Sequence, residues 1–429
     1  MSAAIKKLFV PQLPSKNISL ALPGITKQAR DTVAEVLEEN HRTYHCYFNE
    51  RGFHNHLAHA VLANYSLGAS PSRLRAIYER EAADQRPMGP PLKSFTASDW
   101  KSELGKQDYY PSYLEFFRSE VQRLGRVDAT VHYAFDPDVI ARTFSGAFHP
   151  LIHIGYGLDF EIDATIAEGL AMMAVTSPMM APFVVNPAGA VDKVTSKVAA
   201  QLSMSKFSAP KTVVEILKAI REDRELDGLT TYSAPNKTVE IVKHGKVATK
   251  IQHYLSGWDI EETSQDLDAK TKELYKACIL AVGGTGLRNG KVKQDFFLMH
   301  ALTSILFVHK LVHVLPPAYA VSCLKSHLGA ALAYYISRGR PAIDVAALVN
   351  YKGKQSLDPT NPWLSVLKRA VDIDEVHVTK VVRSCALGDL LFGAEESYSQ
   401  LCLNTAQIAL DVAGGWEFEG VGWDEAWEQ

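Results

Sequence analysis

The chain has 429 residues, 47% of them hydrophobic and 22% charged, proportions of an ordinary folded protein that exclude a long disordered chain. The formal net charge is -3 and no Lys/Arg block stands out, which argues against nucleic-acid or anionic-membrane partners. Five scattered cysteines, Cys46, Cys278, Cys323, Cys385 and Cys402, form no CxxC. Neither a disulfide framework nor a thiolate zinc site is expected, and a reducing, cytoplasmic compartment fits.

Helical periodicity dominates in chain order. The N-terminal MSAAIKKLFVPQLP has no apolar run long enough for a signal peptide. Apolar positions recur at helical spacing over 28–40 and again over 53–67, with Gly68 placed as a stop. Ser70-Pro71 reads as N-cap and first helical residue of the next helix. Pro111 opens a helix through Leu124. Further helices are predicted over 136–157, 162–176, 190–204, 210–221, 265–282, 295–313, 317–338, 374–388 and 395–413. Segment 237–250 reads as a hairpin around His244-Gly245 or as a broken helix. The most apolar stretch, Leu298 to Leu315, is interrupted by His300, His309, Lys310 and His313, so it reads as a buried helix and not a membrane span. The expected fold is mainly α, a single large multi-helix globular domain over 1–429 with few or no strands. A subdivision near 225–260 is the alternative.

The chain holds 15 histidines, several on strongly apolar helices: His54, His56 and His59 in GFHNHLAHAVLANY, His149 and His153 in GAFHPLIHIGYG, His300 in DFFLMHALTS, and His377 in DEVHVTKVVRSC. A single histidine in such a place is usually a core residue bonded to a carbonyl. Four separated helices that each put an imidazole among apolar neighbours change the odds, because an unpaired buried polar group is costly and a shared metal satisfies several imidazoles at once. His377 and Lys380 stand at i and i+3, on one side of a helix, among Val376, Val378, Val381 and Val382. A buried lysine loses its charge readily. Its neutral amine reacts with carbon dioxide to give a carbamate, an anionic oxygen ligand. The alternative is that Lys380 reaches solvent or pairs with Asp374 or Glu375.

Other motifs carry less. VGGTGLRNG over 282–290 lacks the third small residue and the preceding strand of a dinucleotide fingerprint, and reads as a flexible loop. Cys385 in an apolar helix reads as packing. Phe148, Tyr156, Phe296 and Phe297 near the histidines could stack on a flat substrate or serve as ordinary core.

Five blocks together, GFHNHLAHAVLANYSLGAS, FHPLIHIGYGLDFEID, KQDFFLMHALTS, DEVHVTKVVRSCALGD and WEFEGVGWDEAWEQ, resemble the questin oxidase-like family of fungal secondary metabolism, in that family's order and over roughly residues 45–425. The resemblance implies oxidative ring opening of an anthraquinone-type aromatic polyketide with O2. It implies either a non-haem iron(II) oxygenase or an NADPH-dependent Baeyer–Villiger oxidase. It further implies a metal held by His56, His149, His300, His377 and a carboxylated Lys380. His54, His59 and His153 are then assigned either to support of the ligands or, for His59 and His153 above all, to a catalytic role toward substrate or proton, with Asn55, Asp295 and Glu375 as further supports. A non-catalytic polyketide carrier and a zinc hydrolase are the other readings weighed.

Overall fold

The computed structural model describes residues 8–11, 17–187 and 212–428. They are mostly helical, as the periodicity predicts. Among the described residues, strands are limited to four two-residue segments, paired as Leu287–Arg288 with Lys291–Val292 and Gln294–Asp295 with Trp416–Glu417. The predicted helix 190–204 lies outside the described residues.

Two compact units interleave along the sequence: Met1–Pro178 with Leu357–Arg383, and Met179–Ser356 with Ser384–Gln429. Residues 225–260 lie inside the second. The helix Val376–Phe392 begins in the first unit and ends in the second.

In the first unit, local chemistry sets the helix ends. Ser70 accepts a hydrogen bond from the Arg73 N–H and Pro71 opens the helix Pro71–Ala82, the N-cap arrangement its sequence predicts. Every residue of Leu57–Ser66 and of His149–Asp159 is buried. A polar side chain left without a partner there is costly.

The segment 136–157 departs from the expected single helix. A short turn, Ile140–Thr143, is followed by a break, and a new helix starts at His149. Gly146, Ala147 and Phe148 all take positive φ, 57°, 51° and 62°. Such backbone is open to glycine but strained for Ala and Phe, and nothing in a residue-by-residue helix pattern reports it. The break re-aims the chain so that His149 begins the next helix.

The helices His149–Asp159 and Asp163–Val175 approach backbone to backbone through two glycines. A Cβ on Gly157 would lie 2.7 Å from the Ile166 backbone nitrogen, and one on Gly169 would lie 2.7 Å from that of Ile154. Neither position has room for a side chain.

In the second unit, segment 237–250 is a broken helix, Lys237–Lys243 then Gly245–Gly257, with extended backbone at His244. The glycine-rich stretch expected as a flexible loop is instead a turn of π-helix, Leu280–Gly284, and a tight hairpin. Asn289 and Gly290 sit at its tip with φ of 51° and 76°, the left-handed pair that a two-residue Asn-Gly hairpin requires. The helix Phe296–Val312 is capped by Asp295, whose Oδ1 accepts from the Phe297 and Leu298 N–H groups.

Candidate functional site

Four of the singled-out histidines of the first unit form one buried group. His56 stands at the N-terminus of Leu57–Ser66, held by its neighbour: the Asn55 side chain accepts from the Leu57 N–H at 2.9 Å and donates to Asn40 Oδ1 at 2.8 Å. The His56 ring meets His149 edge to face at 4.9 Å and His377 at 4.7 Å between centroids. The Nε2 atoms of His56 and His149 are 2.9 Å apart. His54 stacks on His149 at 4.2 Å, nearly parallel. Gly146 admits His54, since a Cβ there would come within 2.8 Å of its Cε1.

Two of these rings, His149 and His377, are oriented from behind. His149 donates Nδ1–H to the Gly146 carbonyl at 2.6 Å, a consequence of the left-handed break. His377 sets its Nδ1 2.6 Å from Glu375 Oε1, and the other oxygen of that carboxylate accepts from the backbone N–H groups of His377 and Val378. Glu375 thus caps the helix and fixes the ring at once. Burial, and then the Lys380 charge, lower the His377 pKa to about 4. With Nδ1 facing the carboxylate and the ring neutral, Nε2 of His377 carries the lone pair.

Lys380, one turn beyond His377, is buried, and its Nζ has no hydrogen-bond partner among the described residues. It neither reaches solvent nor pairs with Asp374, which is held by Arg73 and Arg80. Burial lowers its pKa to about 8, opposed by the charges of Glu375 and Glu81. The amine is then still mostly protonated at pH 7, but its neutral fraction, about a tenth, is far larger than that of an ordinary lysine.

His59 and His153 make a second arrangement. His59 Nε2 lies 3.0 Å from His153 Nδ1, and His153 Nε2 lies 2.8 Å from Glu168 Oε2. The other Glu168 oxygen takes the Nδ1 of His41 at 2.6 Å. Burial raises the Glu168 pKa, but hydrogen bonds from His153 and His41 outweigh it and hold the carboxyl at about 2. Sequence reasoning missed Glu168 and His41. The available signal was a single acid inside the otherwise apolar DATIAEGLAMMAV.

Of the expected residues, His300 belongs to the second unit. It is buried one turn into Phe296–Val312, with Nδ1 2.7 Å from the Phe296 carbonyl oxygen and its ring edge-on to Phe296 at 4.8 Å. Phe296 stacks in turn on Phe418 at 4.3 Å. Asp295 supports this end of the helix as cap. Tyr156 stacks on His59 at 5.1 Å and also lies under Arg383, so it packs within the histidine group. Cys385 is buried and its thiol pKa is pushed up by burial, in keeping with packing. No helix among the described residues is long and apolar enough to cross a membrane.

A helical protein with a buried cluster of imidazoles, their backs held by carbonyls and carboxylates, has the general form of a metal-dependent or acid–base catalyst. The family is settled by comparison: residues 53–385 match the questin oxidase-like family, and the chain belongs to it. It is 26% identical to the Baeyer–Villiger monooxygenase AacuH of Aspergillus aculeatus, over 95% of this chain and 91% of that one. It is 24% identical to the questin oxidase of Aspergillus fumigatus, over 93% of each chain. The Baeyer–Villiger oxidase AgnL3 of Paecilomyces divaricatus is 27% identical, over 84% of this chain and 80% of that one. The chain is thus an oxidoreductase, and the carrier and hydrolase readings fall away.

Proposed function

We propose that this enzyme opens a ring of an anthraquinone-type polyketide with O2, using one iron(II) ion held by His56, His149, His300, His377 and a carboxylated Lys380. The observation that carries the reading is the shared posture of three imidazoles. In His149, His300 and His377 an oxygen acceptor takes Nδ1, the arrangement by which metal-ligating histidines are oriented and their Nε2 made basic. The 2.9 Å separation of the His56 and His149 Nε2 atoms is a plain hydrogen bond if His56 carries its proton there. If both present lone pairs, a cation between them is required.

Four neutral imidazoles supply no charge to balance a divalent ion. Lys380 does so once its neutral amine attacks the carbon of CO2 and releases a proton, leaving a carbamate. Iron(II) in a site with an open position supplies dioxygen activation, which suits an oxidase better than zinc does. The chain's own residues supply the rest. Glu375 and Gly146 orient the imidazoles, the buried walls exclude water, and His59 with His153 serves the substrate's hydroxyl protons.

The names of the relatives favour a second reading, a Baeyer–Villiger oxidation, for which we take NADPH as the reductant and the same substrate class. There, one oxygen atom enters between a carbonyl and its ring carbon, the other leaves as water, and NADPH supplies two electrons. Incubation of reduced 1,8-dihydroxyanthraquinone under ¹⁸O2, with and without NADPH, separates the two. We expect a ring-opened product carrying ¹⁸O from the pre-reduced substrate without NADPH. An absolute NADPH requirement with that substrate, and no metal dependence, would overturn the iron reading.

A further inference from the structure

Glu168 has no place in the ligand set, yet both of its carboxylate oxygens are held by buried histidines. An ionised carboxylate can only accept hydrogen bonds, so the chain of contacts has a direction. Glu168 Oε2 accepts at 2.8 Å, which puts a proton on His153 Nε2. Where His153 carries a single proton, its Nδ1 is the acceptor and His59 donates from Nε2 across 3.0 Å; a second proton on His153 would reverse that last step. The singly protonated state leaves His59 Nδ1 with a lone pair. The atom is buried and has no hydrogen-bond partner among the described residues. The His59 ring packs near His56 and His149, each at 6.1 Å.

We propose that Glu168 is a positioning residue: through His153 it sets the tautomer of His59, so that His59 Nδ1 is a ready acceptor for a phenolic hydroxyl of the bound ring. The hydroxyl role rests on the ring-opening reading above; the tautomer does not. His41, on the other Glu168 oxygen at 2.6 Å, locks the carboxylate's orientation. The close approach at Gly157 and Gly169 sets the spacing of the two helices that carry His153 and Glu168.

Glu168→Gln is the informative substitution, because its amide can donate to His153 Nε2 and reverse the whole chain. Protein labelled with ¹⁵N-histidine reports which ring nitrogen is protonated, with signals assigned by comparison with His59→Gln and His153→Gln. The wild type should show His59 protonated at Nε2 and bare at Nδ1. Glu168→Asp, still acceptor-only, should keep that state and shows whether the fold tolerates change here. Glu168→Gln should reverse or mix it, and kcat on reduced 1,8-dihydroxyanthraquinone should fall about 10- to 100-fold with metal content and KM within about twofold. A proton on His59 Nδ1 in the wild type overturns the proposal. So does a tautomer unchanged in Glu168→Gln, or a reversed tautomer with undiminished kcat. If the wild type turns over no hydroxyanthraquinone, the ring-opening reading fails, and the spectra still decide the role of Glu168.

Discussion

Residue by residue, the histidines expected inside are buried, whereas their partners were not legible in the sequence. An imidazole on an apolar helix is visible in the sequence because polarity breaks a hydrophobic run, as at His149 or His377. Its partner is a matter of three-dimensional packing. The carbonyl of Gly146 reaches His149 only because three consecutive residues adopt left-handed backbone. Glu168 meets His153 across two helices. Lys380 is the residue whose chemistry most needs a direct test. Lys380→Ala should lower bound metal at least tenfold, and short carboxylic acids such as acetate should partly restore it by replacing the carbamate oxygen. Growth with ¹³C-bicarbonate should place one labelled carbamate on the wild type and none on the variant. Full metal content in Lys380→Ala would show that the lysine is not a ligand.

At the level of elements, two structural devices position the histidine group. One is the reciprocal glycine contact. Gly169→Ala forces a methyl against the Ile154 backbone, where relief requires the helices to part. We expect a loss of about 1–3 kcal/mol in stability, read from the denaturant midpoint, and a longer His153–Glu168 contact. The other is the buried ion pair between Arg383 and Asp159, 2.5 Å apart and 1% and 0% exposed. Asp159 also accepts from the Ser19 backbone and hydroxyl, and Arg383 lies over the rings of Tyr156 and Phe160. Arg383→Met strands the carboxylate and should cost about 3–5 kcal/mol, whereas Arg383→Met with Asp159→Leu should recover much of it. Equal losses in the single and double variants would show that the pair is not the unit that matters. Helix boundaries with capping residues, such as Ser70-Pro71, were legible in the sequence. The break at 146–148 was not, because Ala147 and Phe148 are not residues that announce positive φ.

For the whole molecule, the mainly helical class follows from periodicity, but the interleaving of two units does not, since it depends on which distant helices pack. Stability of the whole chain should also carry the mark of Asp295, which caps Phe296–Val312 and accepts from the Val421 N–H. Burial raises its pKa to about 6, opposed by the charge of Arg338 and by backbone hydrogen bonds. A folded pKa above the ordinary carboxyl value means that its stabilising contribution is complete below about pH 4 and is lost as pH rises through 6. Wild type should therefore lose up to about 3 kcal/mol between pH 4 and 7 relative to Asp295→Asn. Parallel stability–pH curves for the two proteins would contradict the assignment.

The central claim is a single metal ion bound by the buried imidazoles, and its most direct test is elemental mass spectrometry of protein purified without chelator or affinity metal. Iron is expected near one per chain, lost in His56→Ala, His149→Ala, His300→Ala and His377→Ala while each variant keeps its helical circular dichroism. Metal-free wild-type protein that gains no activity on anaerobic addition of ferrous iron would contradict it.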